Sequence, residues 1–158
     1  MAIEGGGTRE KALQRAFKFL SYRPRSEAEV QTKLIQSGFS PQDVNAILVK
    51  LRSLNLLNDE TFARGWARGR AEGRGYGPLR IERELRQKGI APPVIREVIR
   101  ETFENNQGRE RAGTLLEKRF RGKDLEDKKV LQRAVAFLRR RGYRDAVIAE
   151  ILKMRVED

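Results

Sequence analysis

Apolar residues recur along the chain at spacings of three and four, and short polar stretches separate one such series from the next. In the first series Leu13, Ala16, Phe17 and Leu20 share one face of a helix. This periodicity is typical of amphipathic helices, and no run of alternating β-branched residues indicates a strand. The pattern therefore predicts an all-α fold. Nine helices are predicted, over about 8–21, 26–37, 41–54, 59–72, 77–88, 92–105, 108–121, 125–141 and 145–155.

Three glycines have the same surroundings in the sequence. Gly38, Gly89 and Gly142 lie 51 and 53 residues apart, each with a leucine four positions earlier and an apolar residue directly after it. The flanking residues are Leu34, Leu85 and Leu138 before the glycines, and Phe39, Ile90 and Tyr143 after them. Glycine ends helices because it adopts the left-handed conformation at little steric cost. The register predicts one helical hairpin that occurs three times.

A further helix precedes each hairpin, which makes three tandem repeats of three helices each. The predicted repeats are residues 8–57, 58–106 and 107–156. A unit of about 50 residues buries little surface by itself, so the units should stack on one another. We therefore expect an elongated, curved body.

Three local features of the sequence predict how particular helices begin and pack. Ser26 with Glu29 three positions later fits a capping box at a helix start. Asp59 is the predicted N-cap of the fourth helix. Trp66 follows Phe62 by four positions, which favours a place in the core over a role as a base-stacking platform.

The charge of the chain is strongly positive. Its 34 lysines and arginines exceed its 22 aspartates and glutamates, leaving a net charge of +12. Such an excess attracts polyanions, and nucleic acid is the default partner. The sequence has neither a stretch of about 20 apolar residues, as a membrane span requires, nor the pattern of a secretory signal. We expect a cytoplasmic monomer.

The chain contains no cysteine and no histidine. These absences exclude thiolate nucleophiles, histidine-based triads and most zinc sites. The neighbouring carboxylates Asp59 and Glu60 suit a helix start better than a catalytic pair, because adjacent helical residues point in different directions. We expect a protein that is not an enzyme and needs no cofactor or metal.

Two concentrations of basic residues are the candidate contact surfaces for nucleic acid or an acidic partner. The first comprises Arg64, Arg68, Arg70, Arg74, Arg80 and Arg83. The second comprises Arg121, Lys123, Arg139, Arg140, Arg141 and Arg144, beside Arg119. An ordinary solvated helix face remains the alternative, because pairs such as Glu82 and Arg86 partly neutralise each other. The glycines of residues 73–77 predict a turn, since the Gly-Lys-Ser/Thr of a nucleotide-binding loop is missing.

Three stretches of the chain resemble the RecX family of bacterial regulatory proteins, which modulate the RecA recombinase. They are the residues around RPRSE at 23–27, LNDETFA at 57–63, and GYGPLRI at 75–81 followed by KGI at 88–90. The three occur in order and at the spacing of the family, and the resemblance extends from about Ala12 to Leu152. The third unit is matched chiefly by Leu138, Gly142 and the apolar stripe that follows them.

The resemblance implies tandem three-helix repeats and a cytosolic protein that binds the filament of RecA on DNA. It implies that the protein lies along the filament groove and suppresses strand exchange and ATP hydrolysis by the recombinase. The matching residues are mostly turns, caps and core, so no contact residue follows from the resemblance, and direct contact with single- or double-stranded DNA stays open. The alternative is an independent DNA-binding protein of the helix-turn-helix type, for which short-turn helix pairs and the positive charge are sufficient grounds.

Overall fold

The computed structural model describes residues 2–157, and the side chains of residues 7–154. All regular elements in this part of the chain are helices, and their order confirms the predicted all-α fold. The helices are α1 (Ala2–Tyr22), α2 (Glu27–Gln36), α3 (Pro41–Ser53), α4 (Asp59–Arg74), α5 (Pro78–Gln87), α6 (Pro92–Thr102), α7 (Gln107–Arg119), α8 (Lys128–Arg141) and α9 (Asp145–Glu157). Units 1, 2 and 3 consist of α1–α3, α4–α6 and α7–α9.

The helix starts agree with the sequence in one case and correct it in two. The predicted capping box is confirmed, since the Ser26 hydroxyl accepts from the Glu29 N–H and the Glu29 carboxylate accepts from the Ser26 N–H. The N-cap of α4 is Asn58 rather than Asp59, because the Asn58 side chain accepts from the Thr61 N–H. Helix α1 begins at Ala2 instead of residue 8. An existing helix gains one hydrogen bond for each added residue, so it extends through glycines that would not start one.

The three predicted hairpin turns share one backbone geometry. Gly38, Gly89 and Gly142 have φ of +94°, +76° and +99°. After each glycine, the next residue donates its N–H to the leucine five positions earlier, in the bonds Phe39 to Leu34, Ile90 to Leu85 and Tyr143 to Leu138. The repeated turn is therefore a repeated hydrogen-bond pattern, and it directs the third helix of each unit back across the other two.

Each unit has a separate hydrophobic core centred on the leucine of its hairpin. Leu34, Leu85 and Leu138 are fully buried, each at 0% exposure. In unit 2 the Trp66 ring is half-buried and stacks on Phe62, with 5.8 Å between ring centroids, which confirms its predicted place in the core. The described surface measures 10,521 Å², whereas a compact protein of this mass exposes about 8,100 Å². Three small cores in a row account for the excess.

The hairpin turn of each following unit packs on the start of the second helix of the unit before it. The first joint is the contact of residues 26–29 in unit 1 with residues 59, 88 and 89 in unit 2. In it, the Asp59 carboxylate accepts a hydrogen bond from the Glu27 N–H at 2.9 Å. Lys88 bonds Glu29 at 3.3 Å in the same joint. Gly89 lies so close to Ala28 that a Cβ at position 89 would come within 2.5 Å of the Ala28 Cβ.

The second joint, between residues 74–80 and residues 140–143, uses mostly backbone groups. The Gly77 N–H donates to the Arg141 carbonyl at 2.7 Å, and the Leu79 N–H donates to the Gly142 carbonyl at 2.9 Å. The Tyr143 hydroxyl donates to the Gly75 carbonyl at 2.9 Å. The two backbone bonds satisfy amide groups at the start of α5, where Gly77 offers no capping side chain. Unit 3 therefore completes the end of a helix in unit 2.

Tyr143 gives the second joint a spectroscopic signature. Burial raises the pKa of its hydroxyl to about 12. We expect one tyrosine of the folded protein to ionise near that pH in an ultraviolet absorbance titration, and Tyr143→Phe to remove this step. Between the ordinary tyrosine pKa of about 10 and the raised value, only the unfolded chain releases this proton. Stability should therefore fall as the pH rises through this interval, and less steeply in Tyr143→Phe. A variant that retains the late step would contradict the assignment.

Candidate polyanion-binding site

Several of the predicted contact residues are used inside the fold. Arg70 forms an ion pair with Glu84 at 3.4 Å, and its guanidinium lies 4.3 Å from the centre of the Trp66 ring. Arg80 lies 3.7 Å from the centre of the Tyr76 ring and donates to the Arg140 carbonyl. These two side chains pack within unit 2 or join it to unit 3, so little of their charge faces outward.

Arg141 also belongs to the second joint, because it donates to the Arg74 carbonyl at 2.6 Å. Its guanidinium lies 5.3 Å from the centre of the Phe137 ring. The side chain still lines a cleft between units 2 and 3, so it combines a structural contact with a surface position.

Arg64 and Arg139 are exposed but paired. Arg64 donates to Glu101 at 3.0 Å, and Arg139 donates to Asp145 at 2.8 Å. In each pair the hydrogen bond to the carboxylate raises the pKa of the arginine. Exposed pairs of this kind add little stability, yet each carboxylate cancels the charge of its arginine towards a distant anion.

A groove between units 2 and 3 contains charges of both signs. We call it the mixed-charge groove; its charged residues are Arg64, Arg68, Arg111, Glu72, Glu101 and Glu104. Three carboxylates face three arginines there. Arg68 therefore lies in a nearly neutral setting, which is a poor site for a polyanion.

A second groove, entirely within unit 3, has a different balance of charge. This unit-3 groove has a volume of about 380 Å³ and is lined by Arg119, Phe120, Lys123, Arg133, Ala136, Phe137 and Arg140. Four of the seven residues are cations and none is acidic. None of the four forms an ion pair with a carboxylate in the part of the chain that the structure describes. With four cations and no acidic residue, this groove suits a polyanion better than the mixed-charge groove does.

The spacing of residues on α8 builds one wall of the unit-3 groove. Arg133 and Arg140 are seven residues apart and so lie two turns apart on the same face of the helix. Phe137 lies between them and packs edge-on against Phe120, with 5.9 Å between centroids. A turn at Gly122, with φ of +75°, returns the chain beneath α7 and places Lys123 at the groove.

The unit-3 groove continues into a larger cleft between units 2 and 3. This inter-unit cleft, with a volume of about 990 Å³, shares Arg119 and Phe137 with the groove. Its cations are Arg74, Arg111, Lys118, Arg119 and Arg141, against the two carboxylates Glu72 and Glu110. The groove and the cleft form one concave surface on which cations outnumber acids.

The structure brings four of the twelve predicted contact residues to this surface: Arg74, Lys123, Arg140 and Arg141. Arg83, Arg121 and Arg144 are exposed and line neither cavity. The sequence prediction missed Arg133, whose spacing of seven from Arg140 was the available signal. It also missed Lys118 and Arg111, which reach the cleft only because α7 packs against the end of α4.

Other kinds of site are not found in the described residues. No group of three or more aspartates or glutamates lies close enough together to hold a metal ion in that part of the chain. None of the helices described there is long and apolar enough to cross a membrane.

Comparisons with known proteins match the repeat organisation. Two family models match, one described as the first three-helix domain of RecX over residues 12–51, the other as the second over residues 58–99. A protein from Halorhodospira halophila named "Regulatory protein RecX" is 35% identical over 140 residues, with 89% of this chain and 85% of that protein covered. One of the same name from Prosthecochloris aestuarii is 40% identical over 91 residues, and the match covers 58% of this chain and 60% of that protein.

A solved structure has the same arrangement of helices. The "Crystal structure of regulatory protein RecX" superposes with a TM-score of 0.82 at 29% sequence identity. The superposition covers 95% of this chain and 74% of that chain. The likeness extends beyond the two matched domains to the third unit.

Proposed function

The chain belongs to the RecX family of regulatory proteins, and from this premise we propose that it is a negative regulator of homologous recombination acting on the RecA–DNA filament. It binds the filament in the cytoplasm as a monomer and inhibits ATP hydrolysis and strand exchange by the recombinase. It does so by binding and catalyses no reaction of its own. The observation that carries the proposal is the concave basic surface formed by the unit-3 groove and the inter-unit cleft.

This surface suits a filament for two physical reasons. Its unpaired cations attract an extended anion from a distance, and the low-dielectric walls of a concavity concentrate that attraction. Units stacked end to end also spread their contacts over a long partner better than a compact body of the same mass. A filament of recombinase on DNA is both anionic and long, because nucleic acid runs along its length.

The alternative of an independent helix-turn-helix protein has less support. In such a protein the start of the second helix of the pair enters the major groove. Here the helices in that position, α3 and α9, carry Asp43 and Asp145 in their first turns. The first turn of α6, residues 92–95, has no acidic residue, but it has no basic side chain for a phosphate either. Because the carboxylates on α3 and α9 repel phosphates, the geometry favours the concave surface.

The proposal is tested by measuring the DNA-dependent ATPase of the cognate recombinase with increasing amounts of this protein. We expect inhibition below one molecule for each recombinase subunit. The triple variant with Arg119, Arg133 and Arg140 replaced by glutamate should need at least about tenfold more protein for the same inhibition, because attraction turns into repulsion.

A matched control carries the same charge change on exposed residues of units 1 and 2, with Lys18, Lys50 and Arg96 replaced by glutamate. It should inhibit almost as well as the unmodified protein. Equal inhibition by both triple variants would refute the role of the concave surface. If the folded, unmodified protein fails to inhibit at any ratio, the function itself is wrong.

A further inference from the structure

A row of alternating cations and aromatic rings runs through unit 2. The Lys88 ammonium lies 4.8 Å from the centre of the Trp66 ring, and the Arg70 guanidinium lies 4.3 Å from the centre of the same ring. Arg70 is also 5.8 Å from the centre of the Tyr76 ring, which the Arg141 guanidinium approaches to 5.7 Å. Aromatic rings attract cations within about 6 Å of their centres. We call these five residues the cation–ring row.

Both ends of the cation–ring row belong to the joints between units. Lys88 bonds Glu29 of unit 1 at 3.3 Å. Arg141 belongs to unit 3, donates to the Arg74 carbonyl of unit 2 at 2.6 Å and lines the inter-unit cleft. The row therefore leads from the first joint to the second through the side chains of unit 2.

Contacts within units 1 and 3 extend the row at both ends. In unit 1 the Arg25 guanidinium lies 4.0 Å from the Glu29 carboxylate and 3.9 Å from the centre of the Phe19 ring. In unit 3 Arg141 lies 5.3 Å from the centre of the Phe137 ring. Phe19 and Phe137 pack against the hydrophobic cores of their own units. One series of side chains thus connects the three separate cores.

Arg70 is the member of the row that contacts both rings. Its Nε lies 3.4 Å from Glu84 Oε1, and its carbonyl accepts from the Tyr76 N–H. Trp66 Nε1 and Glu84 Oε1 are buried and form no hydrogen bond in the part of the chain that the structure describes. Stacking and charge therefore position the Arg70 side chain. These attractions have no strict angle, so the guanidinium can move towards one ring as it leaves the other.

Three guanidinium groups compete for the Tyr76 ring. Besides Arg70 and Arg141, Arg80 lies 3.7 Å from its centre. A ring has two faces, so three cations that also repel one another cannot all take the best position. The place of each cation on Tyr76 therefore depends on the other two. If unit 3 shifts and Arg141 moves away, Arg70 can approach Tyr76 and so leave Trp66.

We propose that the cation–ring row couples the two joints, so that the opening of either joint makes the other open more readily. The coupling depends on Arg70, because this residue contacts both rings. A partner that displaces unit 1 thereby also changes the docking of unit 3 and the shape of the inter-unit cleft. The coupling is a property of the free protein, so its test is independent of the inhibition of a recombinase.

Amide hydrogen exchange, followed residue by residue by NMR, measures the opening of each joint in the full-length protein. Opening of the second joint exposes the Gly77 and Leu79 amides, which bind carbonyl groups of unit 3. Glu29→Gln alters contacts of the first joint only. We nevertheless expect it to accelerate the exchange of both amides at least about fivefold relative to the Ala134 amide in the middle of α8. The reference is needed because global unfolding exposes all three amides alike.

Coupling between two sites is reciprocal, which provides a test in the opposite direction. Arg141→Gln alters the second joint. It should accelerate the exchange of the Glu27 amide, which donates to Asp59 in the first joint, by about fivefold or more. The reference is the Leu34 amide, which lies in the core of unit 1.

Two double variants identify the route of the coupling. Arg70→Met/Glu84→Gln removes both charges at the centre of the row and retains an unbranched apolar side chain at position 70. In this background the effect of Glu29→Gln on the second joint should fall below about twofold, as for independent sites. Arg86→Met/Glu82→Gln makes the same charge change at an i,i+4 pair on α5 that lies outside the row. This control should preserve the fivefold effect.

Tyr76→Leu is a second interruption of the row, because it removes one ring and leaves Arg70 paired with Glu84. It should uncouple the joints in the same way. An undiminished effect of Glu29→Gln in either interrupted background would overturn the proposal. It would also be overturned if Glu29→Gln accelerated the amides of the second joint no more than the reference amide, since the joints would then open independently.

Discussion

Gly142→Ala should lower the free energy of unfolding by about 3 kcal/mol. Gly142 has φ of +99°, where a side chain costs about 1–2 kcal/mol. Its new Cβ would also lie 2.5 Å from the backbone nitrogen of Arg80. To relieve this contact, the two backbone bonds from Gly77 and Leu79 must lengthen, and each contributes about 1 kcal/mol. Urea unfolding followed by circular dichroism measures the loss.

The first hairpin provides a matched control. Gly38 has φ of +94°, close to that of Gly142, but a Cβ at position 38 would meet nothing within 4 Å. Gly38→Ala should therefore cost only the conformational strain, about 1–2 kcal/mol. The difference between the two variants measures the contribution of the second joint. Equal losses would show that the close contact of Gly142 with unit 2 adds nothing to stability.

Glu29→Gln should weaken the first joint by about 2 kcal/mol, because the carboxylate connects both units. It accepts from Arg23 at 2.7 Å, from Lys88 at 3.3 Å and from the Ser26 N–H at 3.1 Å. The glutamine amide can retain the bond to Ser26 but leaves Arg23, Arg25 and Lys88 without their shared countercharge. Hydrogen bonds to charged groups contribute about 1.5–3 kcal/mol. Urea unfolding gives the stability.

The fluorescence of Trp66, the single tryptophan, reports the joint directly, because the Lys88 ammonium lies 4.8 Å from the centre of its ring. The emission of Glu29→Gln should therefore change even in the absence of denaturant. Glu97→Gln is the control, since it removes an exposed pair with Arg100 that contributes little. An equal effect on stability in both variants, with unchanged Trp66 emission, would contradict the role of Glu29.

The same residue makes the joint sensitive to acid. Burial raises the pKa of the Glu29 carboxyl, but the hydrogen bonds from Arg23 and Ser26 and the charge of Lys88 outweigh it and leave the pKa below its usual 4.5. Its stabilisation is therefore complete above about pH 4.5, where the unfolded group is also ionised, and is lost as the pH falls through the folded pKa. The stability difference between the unmodified protein and Glu29→Gln should shrink over this range.

The parts of the fold that the sequence predicted depend on local geometry. A leucine, a glycine and an apolar residue at fixed spacing specify the hairpin turn, because the bonds that close it join residues only three to five positions apart. The capping box at Ser26 is local in the same way. Asp59 was assigned wrongly as an N-cap because its actual partner, the Glu27 N–H, lies 32 positions away and belongs to another unit.

The contact surface was harder to predict for a related reason. Runs of basic residues identified Arg70, Arg80 and Arg141 by charge alone. Arg70 stacks on Trp66 and Arg80 on Tyr76, four positions away in each case, so this spacing was an available signal that the prediction did not use. The bond of Arg141 to the Arg74 carbonyl depends on how units 2 and 3 dock, so the sequence could not indicate it. The choice among the twelve candidate residues remains a prediction, and the charge variants test Arg140 among them.

The helix starts differ in a way that bears on the order of folding during synthesis. The Glu27 N–H of α2 binds Asp59, about 32 residues later in the chain, and the Gly77 and Leu79 N–H groups at the start of α5 bind carbonyls about 64 residues later. The first N–H groups of α8 bind Asp127, its own neighbour. A ribosome releases the early units first. These amide groups of units 1 and 2 therefore have no protein partner until the following unit has been synthesised. Among the three units, only unit 3 caps the start of its second helix entirely with its own residues. Once unit 3 has folded, its carbonyl groups bind the amides at the start of α5 and so complete unit 2.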